Sequence, residues 1–177
     1  ERSRLRKRTA NIEKAQKPSV YVGGIGYKGA QGLDSTDKNY APFKWLQANC
    51  LGKEMKSPSS HLFFDKEKLL LHNPEHIFID GGGLKIIKHE WKRKPHYYGA
   101  LGAFQNNKVY TLWPINWYTT NVGTAIIDAY VIGQKTHPKR FEDIDIKKKA
   151  AQIYRYLVGN SVVEQMEQDY GALGKPF

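Results

Sequence analysis

Ser19-Val20-Tyr21-Val22-Gly23-Gly24 and His76-Ile77-Phe78-Ile79-Asp80-Gly81-Gly82-Gly83 are the two stretches whose reading decides the fold. Each is a short β-branched and aromatic run that stops at glycines, the pattern of a buried strand emerging into a loop. A third run, Lys108 to Trp113, ends at Pro114. Helical patterns separate and follow these strands. Arg4 to Gln16 has Leu5 and Ile12 seven apart and is stopped by Pro18. Pro42 opens a short helix over Phe43 to Ala48, and Asp65 is placed to cap Lys66 to His72, with Pro74 just past its end. Val122, Ala125, Ile126, Ala129 and Tyr130 have helical spacing from Asn121 to about Gln134, and Ile146 to Val158 and Val162 to Tyr170 read as two further helices. Strands alternating with helices imply an α/β fold, a three-layer Rossmann-like lobe with a mostly parallel sheet flanked by helices. Ligands are then expected at the loops leaving the carboxyl ends of the strands.

The 177 residues suit one domain that buries a real core, and 40% hydrophobic content with 4 Trp, 11 Tyr and 7 Phe excludes a disordered chain. The net charge of +11 suits an anionic partner of some kind without choosing among nucleic acid, membrane surface and acidic ligand. Arg2, Arg4, Arg6, Lys7 and Arg8 crowd the start, and Lys147-Lys148-Lys149 form a run in a helical stretch, both patterns common on solvated faces. The single cysteine, Cys50, excludes an internal disulfide framework and a Cys-rich zinc site. No run approaches the length of a membrane span, and the basic first residues lack the apolar stretch of a secretion signal.

Gly24-Ile25-Gly26-Tyr27-Lys28-Gly29 has the spacing of a dinucleotide-binding loop after a strand. That fingerprint needs a helix to begin among its glycines, and here Gly32, Asp34-Ser35-Thr36-Asp37 and Pro42 follow instead. The acid that would hold the ribose is replaced by Trp45-Leu46-Gln47-Ala48-Asn49. The loop running on to Tyr40 fits a different use: glycines admit a close ligand, while Tyr27 and Lys28 supply a phenol and a cation. A plain turn with a surface lysine is the simpler alternative.

The run Trp113-Pro114-Ile115-Asn116-Trp117-Tyr118-Thr119-Thr120-Asn121 gathers aromatics, amides and hydroxyls at a strand end, which suits a pocket wall. Thr119, Thr120 or Asn121 can instead cap the next helix, and a tryptophan here can belong to the core. His72 and His76 are spaced i, i+4, but Asn73-Pro74 breaks any helix between them, and no preformed zinc pair results. No nucleophile elbow or cysteine-protease signature proposes a reaction, so an enzyme is not expected. A nucleic-acid binder is disfavoured, because no helix-turn-helix or RNA-binding signature appears.

Phe64-Asp65-Lys66-Glu67-Lys68-Leu69-Leu70, followed by Asn73-Pro74-Glu75-His76-Ile77-Phe78-Ile79, resembles the E-x-L-L … N-P-D-x-I stretch in the C-terminal lobe of class III solute-binding proteins of ABC importers. The glycine loop Gly24 to Phe43 and the run Pro114 to Asn121 look like the iron-complex subgroup of that family, and the helix, Lys17-Pro18 and strand at the start resemble the end of its long interlobe helix entering that lobe. The similarity runs from about Arg4 to Phe177. It implies two α/β lobes joined by a long helix, with residues 1–17 the end of that helix, 18–177 the C-terminal ligand-binding lobe, and the ligand in the cleft against an N-terminal lobe. The transported ligand would be an iron–siderophore or similar metal complex, or an oxyanion such as molybdate or tungstate, with no cofactor. Tyr27, Lys28, Asn116, Trp117, Tyr118 and Thr119 are the expected ligand-binding residues, with Tyr27 or Tyr118 as candidate ferric ligands. Glu67 matches the acid that meets arginines of the permease transmembrane subunits. The resemblance further implies export to the periplasm or cell envelope, with the signal peptide upstream of Glu1. A nucleotide-binding α/β enzyme using the Gly24–Gly29 loop is the competing class.

Overall fold

A computed structural model describes residues 1–55, 57–116 and 119–177. Four parallel strands, β1 (Ser19–Gly23), β3 (Asn49–Cys50), β5 (His76–Asp80) and β6 (Val109–Leu112), form a sheet in the order β3-β1-β5-β6. A two-stranded antiparallel ribbon, β2 (Ser35–Asp37) with β4 (His61–Phe63), stands apart from it. The helices are α1 (Arg2–Thr9), α2 (Ala41–Trp45), α3 (Lys66–His72), α4 (Leu84–Arg93), α5 (Pro95–Gly99), α6 (Gly102–Gln105), α7 (Val122–Thr136), α8 (Ile146–Val158) and α9 (Val163–Tyr170).

Both faces of the sheet are covered, which is why its strands read as continuous apolar runs. Val20, Val22, Phe78 and Leu112 point to one layer, where they meet Leu5 of α1, Phe43 of α2, and the inner faces of α7 and α8. Tyr21, Ile77, Ile79 and Val109 point to the other, against Leu69 of α3, Ile87 of α4 and Tyr98 of α5. The alternation follows from the two-residue period of a strand. β6 would be an open edge, but the final residues pair with it: Thr111 N–H donates to the Lys175 carbonyl at 3.0 Å and Phe177 N–H to that of Val109 at 3.0 Å. Capping a sheet edge in this way removes a template for unwanted strand pairing.

Local chemistry sets the helix ends. The Asp65 carboxylate accepts from Lys68 N–H at 2.9 Å, Asn121 from Thr124 N–H at 3.1 Å, and Asp145 from Lys148 N–H at 3.0 Å, opening α3, α7 and α8. Asn73 closes α3 in the left-handed region (φ 41°) and its side chain accepts from Gly102 N–H at 2.7 Å. Three expectations are corrected. The first helix ends at Thr9, and only a 3-10 turn over Lys14–Gln16 continues toward Pro18. The segment from Gly24 to Tyr40 is not wholly irregular, because Ser35–Asp37 pairs with a strand 26 residues on. Trp113 belongs to the core, its indole N–H donating to the Gly171 carbonyl at 3.0 Å, and is no part of a pocket wall.

Candidate functional site

The strand order reverses direction between β1 and β5: the chain leaves β1 for β3 on one side and returns to β5 on the other. In open α/β sheets the crevice at such a point, beyond the carboxyl ends of the strands, is where ligands bind. Here the loops after β1, β5 and β6 meet. The glycines of the first two pack against each other: a Cβ on Gly83 would lie 2.5 Å from Gly24 Cα and from the Gln31 carbonyl oxygen, and one on Gly23 2.5 Å from the Leu33 carbonyl oxygen. Glycine at these positions therefore serves contact between loops, and the close-approach role inferred for a ligand does not apply to them. No helix starts within Gly24–Gly29, so the geometry a dinucleotide loop requires is missing.

Gly26 leaves room on the side facing the β6 loop, its would-be Cβ lying 3.7 Å from the Asn116 carbonyl oxygen. The next two residues form the tip of the loop. Tyr27 N–H donates to the Gly29 carbonyl at 3.0 Å, Lys28 takes a positive φ of 50°, and Gln31 Nε2 donates to the Tyr27 carbonyl at 2.8 Å. The tip presents exposed side chains in a column. Lys28 Nζ lies 5.6 Å from the Tyr27 ring centroid, Tyr27 stacks on His61 of β4 at 4.1 Å and 10°, and His61 meets Phe63 edge-on at 5.0 Å. Tyr27 and Phe63 are 44% and 56% exposed, so this aromatic surface is available to a partner.

Ser35 fixes the imidazole. Its hydroxyl donates its one hydrogen to the Ile25 carbonyl, so at the 2.8 Å contact with His61 Nε2 the serine oxygen accepts and the ring is the donor. Nδ1 then carries the free lone pair. Burial lowers the His61 pKa, with Asp37 opposing, and the neutral ring is the form this arrangement favours. On the third loop, Asn116 bridges to Thr120, whose hydroxyl donates to Asn116 Oδ1 at 3.0 Å, and Asn121 N–H donates to the Ile115 carbonyl at 2.7 Å. Thr119 is exposed beside them, and the helix cap is Asn121 rather than either threonine. Trp117 and Tyr118 lie outside the described residues. Glu67 sits exposed in the first turn of α3, next to Phe63, Asp34 and Lys66 on one shallow depression. Among the described residues Lys66 pairs with Glu90 at 3.4 Å and Asp34 at 4.0 Å, while Glu67 makes no ion pair.

Beneath the loops lie two carboxyl groups that the sequence reading passed over. Asp80, at the end of β5, accepts from Gly82 N–H at 2.9 Å and from Ile115 N–H at 3.4 Å, tying the β5 loop to the β6 loop. Burial pushes its pKa up to about 7, with those two N–H groups pulling the other way. Asp128 of α7 accepts from Trp113 N–H at 3.4 Å, and burial, then the neighbouring Asp80, raise its pKa well above the carboxylate range. The Tyr40 hydroxyl lies near Asp128 but outside hydrogen-bonding geometry, and it and Asp128 Oδ2 have no partner among the described residues. Sequence gave a signal for Asp80, a carboxylate closing an apolar strand just ahead of three glycines.

No family model matches the sequence, and no curated protein is similar to it. Solved structures are similar in fold. An ABC transporter solute binding protein from Sulfurospirillum deleyianum superposes with a TM-score of 0.71 at 22% identity, covering 96% of this chain and 52% of that one. The molybdate periplasmic binding protein MolA of Haemophilus influenzae, bound to molybdate, gives 0.67 at 14% identity over 90% and 48%. CeuE of Helicobacter pylori with Ni(II) bound gives 0.66 at 18% identity over 93% and 52%. The chain has the fold of half a solute-binding protein. It spans about half the length of the solved proteins it matches. The first two are binding proteins of ABC transporters. The lobe expected from the E-x-L-L and N-P-E-H-I segments is thus the fold observed, with α3 and β5 built from those same residues.

Proposed function

We propose that this chain is the C-terminal lobe of the substrate-binding component of an ABC importer, exported to the periplasm or cell envelope. Residues 18–177 are the lobe, and 1–17, helical over Arg2–Thr9, are the end of the interlobe connection. An iron–siderophore or similar metal complex is captured between this lobe and an N-terminal one, then handed to the permease transmembrane subunits. The observation that carries the reading is the column Lys28, Tyr27, His61 at the switch point of the sheet, with Asn116 beside it. A cation over two flat rings offers charge and π-surface to an anionic chelate. The Tyr27 phenol and the lone pair of His61 Nδ1 are ligand types that an incompletely coordinated ferric ion accepts. Trp117, Tyr118 and Thr119 belong to the same binding wall in this proposal. Glu67, exposed and unpaired among the described residues, docks on permease arginines, where a rim carboxylate sets register more than affinity.

Lys28 also supports a second reading. Among the described residues it has no carboxylate within ion-pair distance, so its charge is open to a small oxyanion such as molybdate or tungstate. Tryptophan fluorescence of protein carrying both lobes, titrated with ferric siderophores, haem, cobalamin, molybdate, tungstate and NAD, tests both. Saturable quenching by one chelate or oxyanion that is weakened in Tyr27→Ala and in Trp117→Ala/Tyr118→Ala supports transport and names the cargo. Tight NAD binding with indifference to all the others refutes it. Glu67→Arg should leave the titration unchanged while reducing permease-dependent uptake.

A further inference from the structure

α4 carries the sequence Leu84-Lys85-Ile86-Ile87-Lys88-His89-Glu90-Trp91-Lys92-Arg93 and is followed by Lys94. Ile87 is the buried anchor and Leu84 lies half-buried beside it, facing the core. At about 100° per residue, Lys85, His89, Lys92 and Arg93 fall on the opposite face, with Lys88 at its margin. All five are exposed, as is Lys94. The helix has one acid, Glu90, and it is turned inward, taking the Tyr98 hydroxyl at 2.9 Å and Lys66 at 3.4 Å. Among the described residues no carboxylate lies within ion-pair distance of Lys85, Lys88, Lys92, Arg93 or Lys94.

The other basic runs are arranged differently. Lys147 pairs with Glu167, Lys148 with Asp145, Lys149 with Glu1 and Arg8 with Asp143. α8 is thus a solvated face with its own counter-charges, and α1 is matched in part by Arg4–Glu1 and Arg8–Asp143, with Arg2, Arg6 and Lys7 making no ion pair among the described residues. In α4 the like charges at i, i+3 and i+4 repel, and Lys85 stands in the first turn, where the helix dipole disfavours a cation. This stripe costs the free protein stability and is not accounted for by the fold. Its borders are apolar: Ile86 on one side and Trp91 on the other are 36% and 42% exposed. Trp91 is held in place by Phe177 and Phe104, with ring centroids 5.2 and 6.4 Å away. A half-exposed indole beside a row of cations matches the headgroup zone of a membrane, where tryptophan concentrates. An acidic protein or a nucleic acid would match the charges alone.

We propose that the outer face of α4 docks on an anionic phospholipid bilayer, the lysines meeting lipid phosphates and Trp91 entering the headgroup layer. The proposal goes beyond the transport reading and does not depend on the cargo. Glu67 lies on α3, which the Lys66–Glu90 contact joins to α4.

Co-sedimentation with phosphatidylcholine vesicles, with and without phosphatidylglycerol, tests it. Binding is expected only with the anionic lipid and should fade as salt is raised. Lys88→Gln/Lys92→Gln should weaken it by about tenfold to thirtyfold, given the contribution of each basic residue near an anionic surface. Lys147→Gln/Lys148→Gln, with the same change in net charge, should alter it by less than about twofold. A fluorescence blue shift on vesicle binding should vanish in Trp91→Phe. Circular dichroism of each variant checks that it is folded. Equal loss in both double variants, indifference to anionic vesicles, or α4-dependent binding of single-stranded DNA or an acidic protein in place of vesicles would each overturn the proposal.

Discussion

Replacing Asp80 with Asn should change how stability depends on pH. In the unfolded chain the carboxyl ionises near its ordinary value of 3.8, whereas in the fold it keeps its proton to about 7. Between those values the folded state binds more protons than the unfolded one, so this group's contribution falls as pH rises and levels off above about 7. Roughly three pH units at about 1.4 kcal/mol each give about 4 kcal/mol across the window. Asp80→Asn lacks this term. At the acid end the variant should be less stable by about 1 kcal/mol, because an amide nitrogen cannot accept from Ile115 N–H. By about pH 8 the order should reverse, the variant gaining close to the full 4 kcal/mol relative to wild type. Burial raises the pKa of Asp128 in both proteins, so its contribution largely cancels and the comparison reports Asp80. Urea unfolding followed by tryptophan fluorescence, with both proteins measured at each pH, gives the difference directly. A difference that stays constant from acid to neutral pH would refute the reasoning, since it would mean that Asp80 is ionised in the fold as readily as in water.

Gly133 faces the Phe141 ring so closely that a Cβ would lie 2.3 Å from it; Gly133→Ala should cost about 1–3 kcal/mol in urea unfolding by forcing that ring off its seat. Asp65→Ala removes the side-chain cap of α3 and should cost about 1 kcal/mol, with faster hydrogen exchange at Lys68 as the local readout. Tyr27→Ala should leave stability within about 0.5 kcal/mol, because the ring is a loop-tip residue and partly exposed, while weakening whichever ligand the titration identifies. Asn73→Asp keeps the left-handed conformation and the acceptor for Gly102 N–H, and should be tolerated, whereas Asn73→Val should cost more than about 1 kcal/mol in thermal unfolding.

The parallel sheet was readable because β1, β5 and β6 are buried on both faces, and such strands appear in sequence as unbroken apolar runs stopped by glycine or proline. α3 and α8 were readable for a different reason: an aspartate cap and a clear end mark each within the helix itself. β3 was not, since a two-residue edge strand has no periodicity to show. β2 and β4 are half-polar strands of three residues whose partnership spans a long interval, so nothing local marks them as a pair. The run from Leu84 to Gln105 makes three helices that the sequence reading did not place, because α5 and α6 are single turns and α4 is mostly cations outside its one buried anchor. At the site, Tyr27, Lys28 and Asn116 stood out by composition and do come together at one rim. His61 did not, because its place in the column depends on the ribbon that brings β4 beside Tyr27. Asp80 could have been found, as the polar end of an otherwise apolar strand.

The backbone-to-backbone seating of Gly24 on Gly83 divides the rim into two parts with different freedom to change. The base tolerates no side chain, so drift in sequence there is blocked by collision before any ligand is considered. The tip, a few residues on, rests on the main-chain bond from Tyr27 N–H to the Gly29 carbonyl and on the Gln31 side-chain amide, which donates to the Tyr27 carbonyl, so the Tyr27 and Lys28 side chains are not needed for those bonds. A lineage can therefore exchange a phenol or an ammonium at the tip for other chemistry and acquire a new cargo without rebuilding the platform.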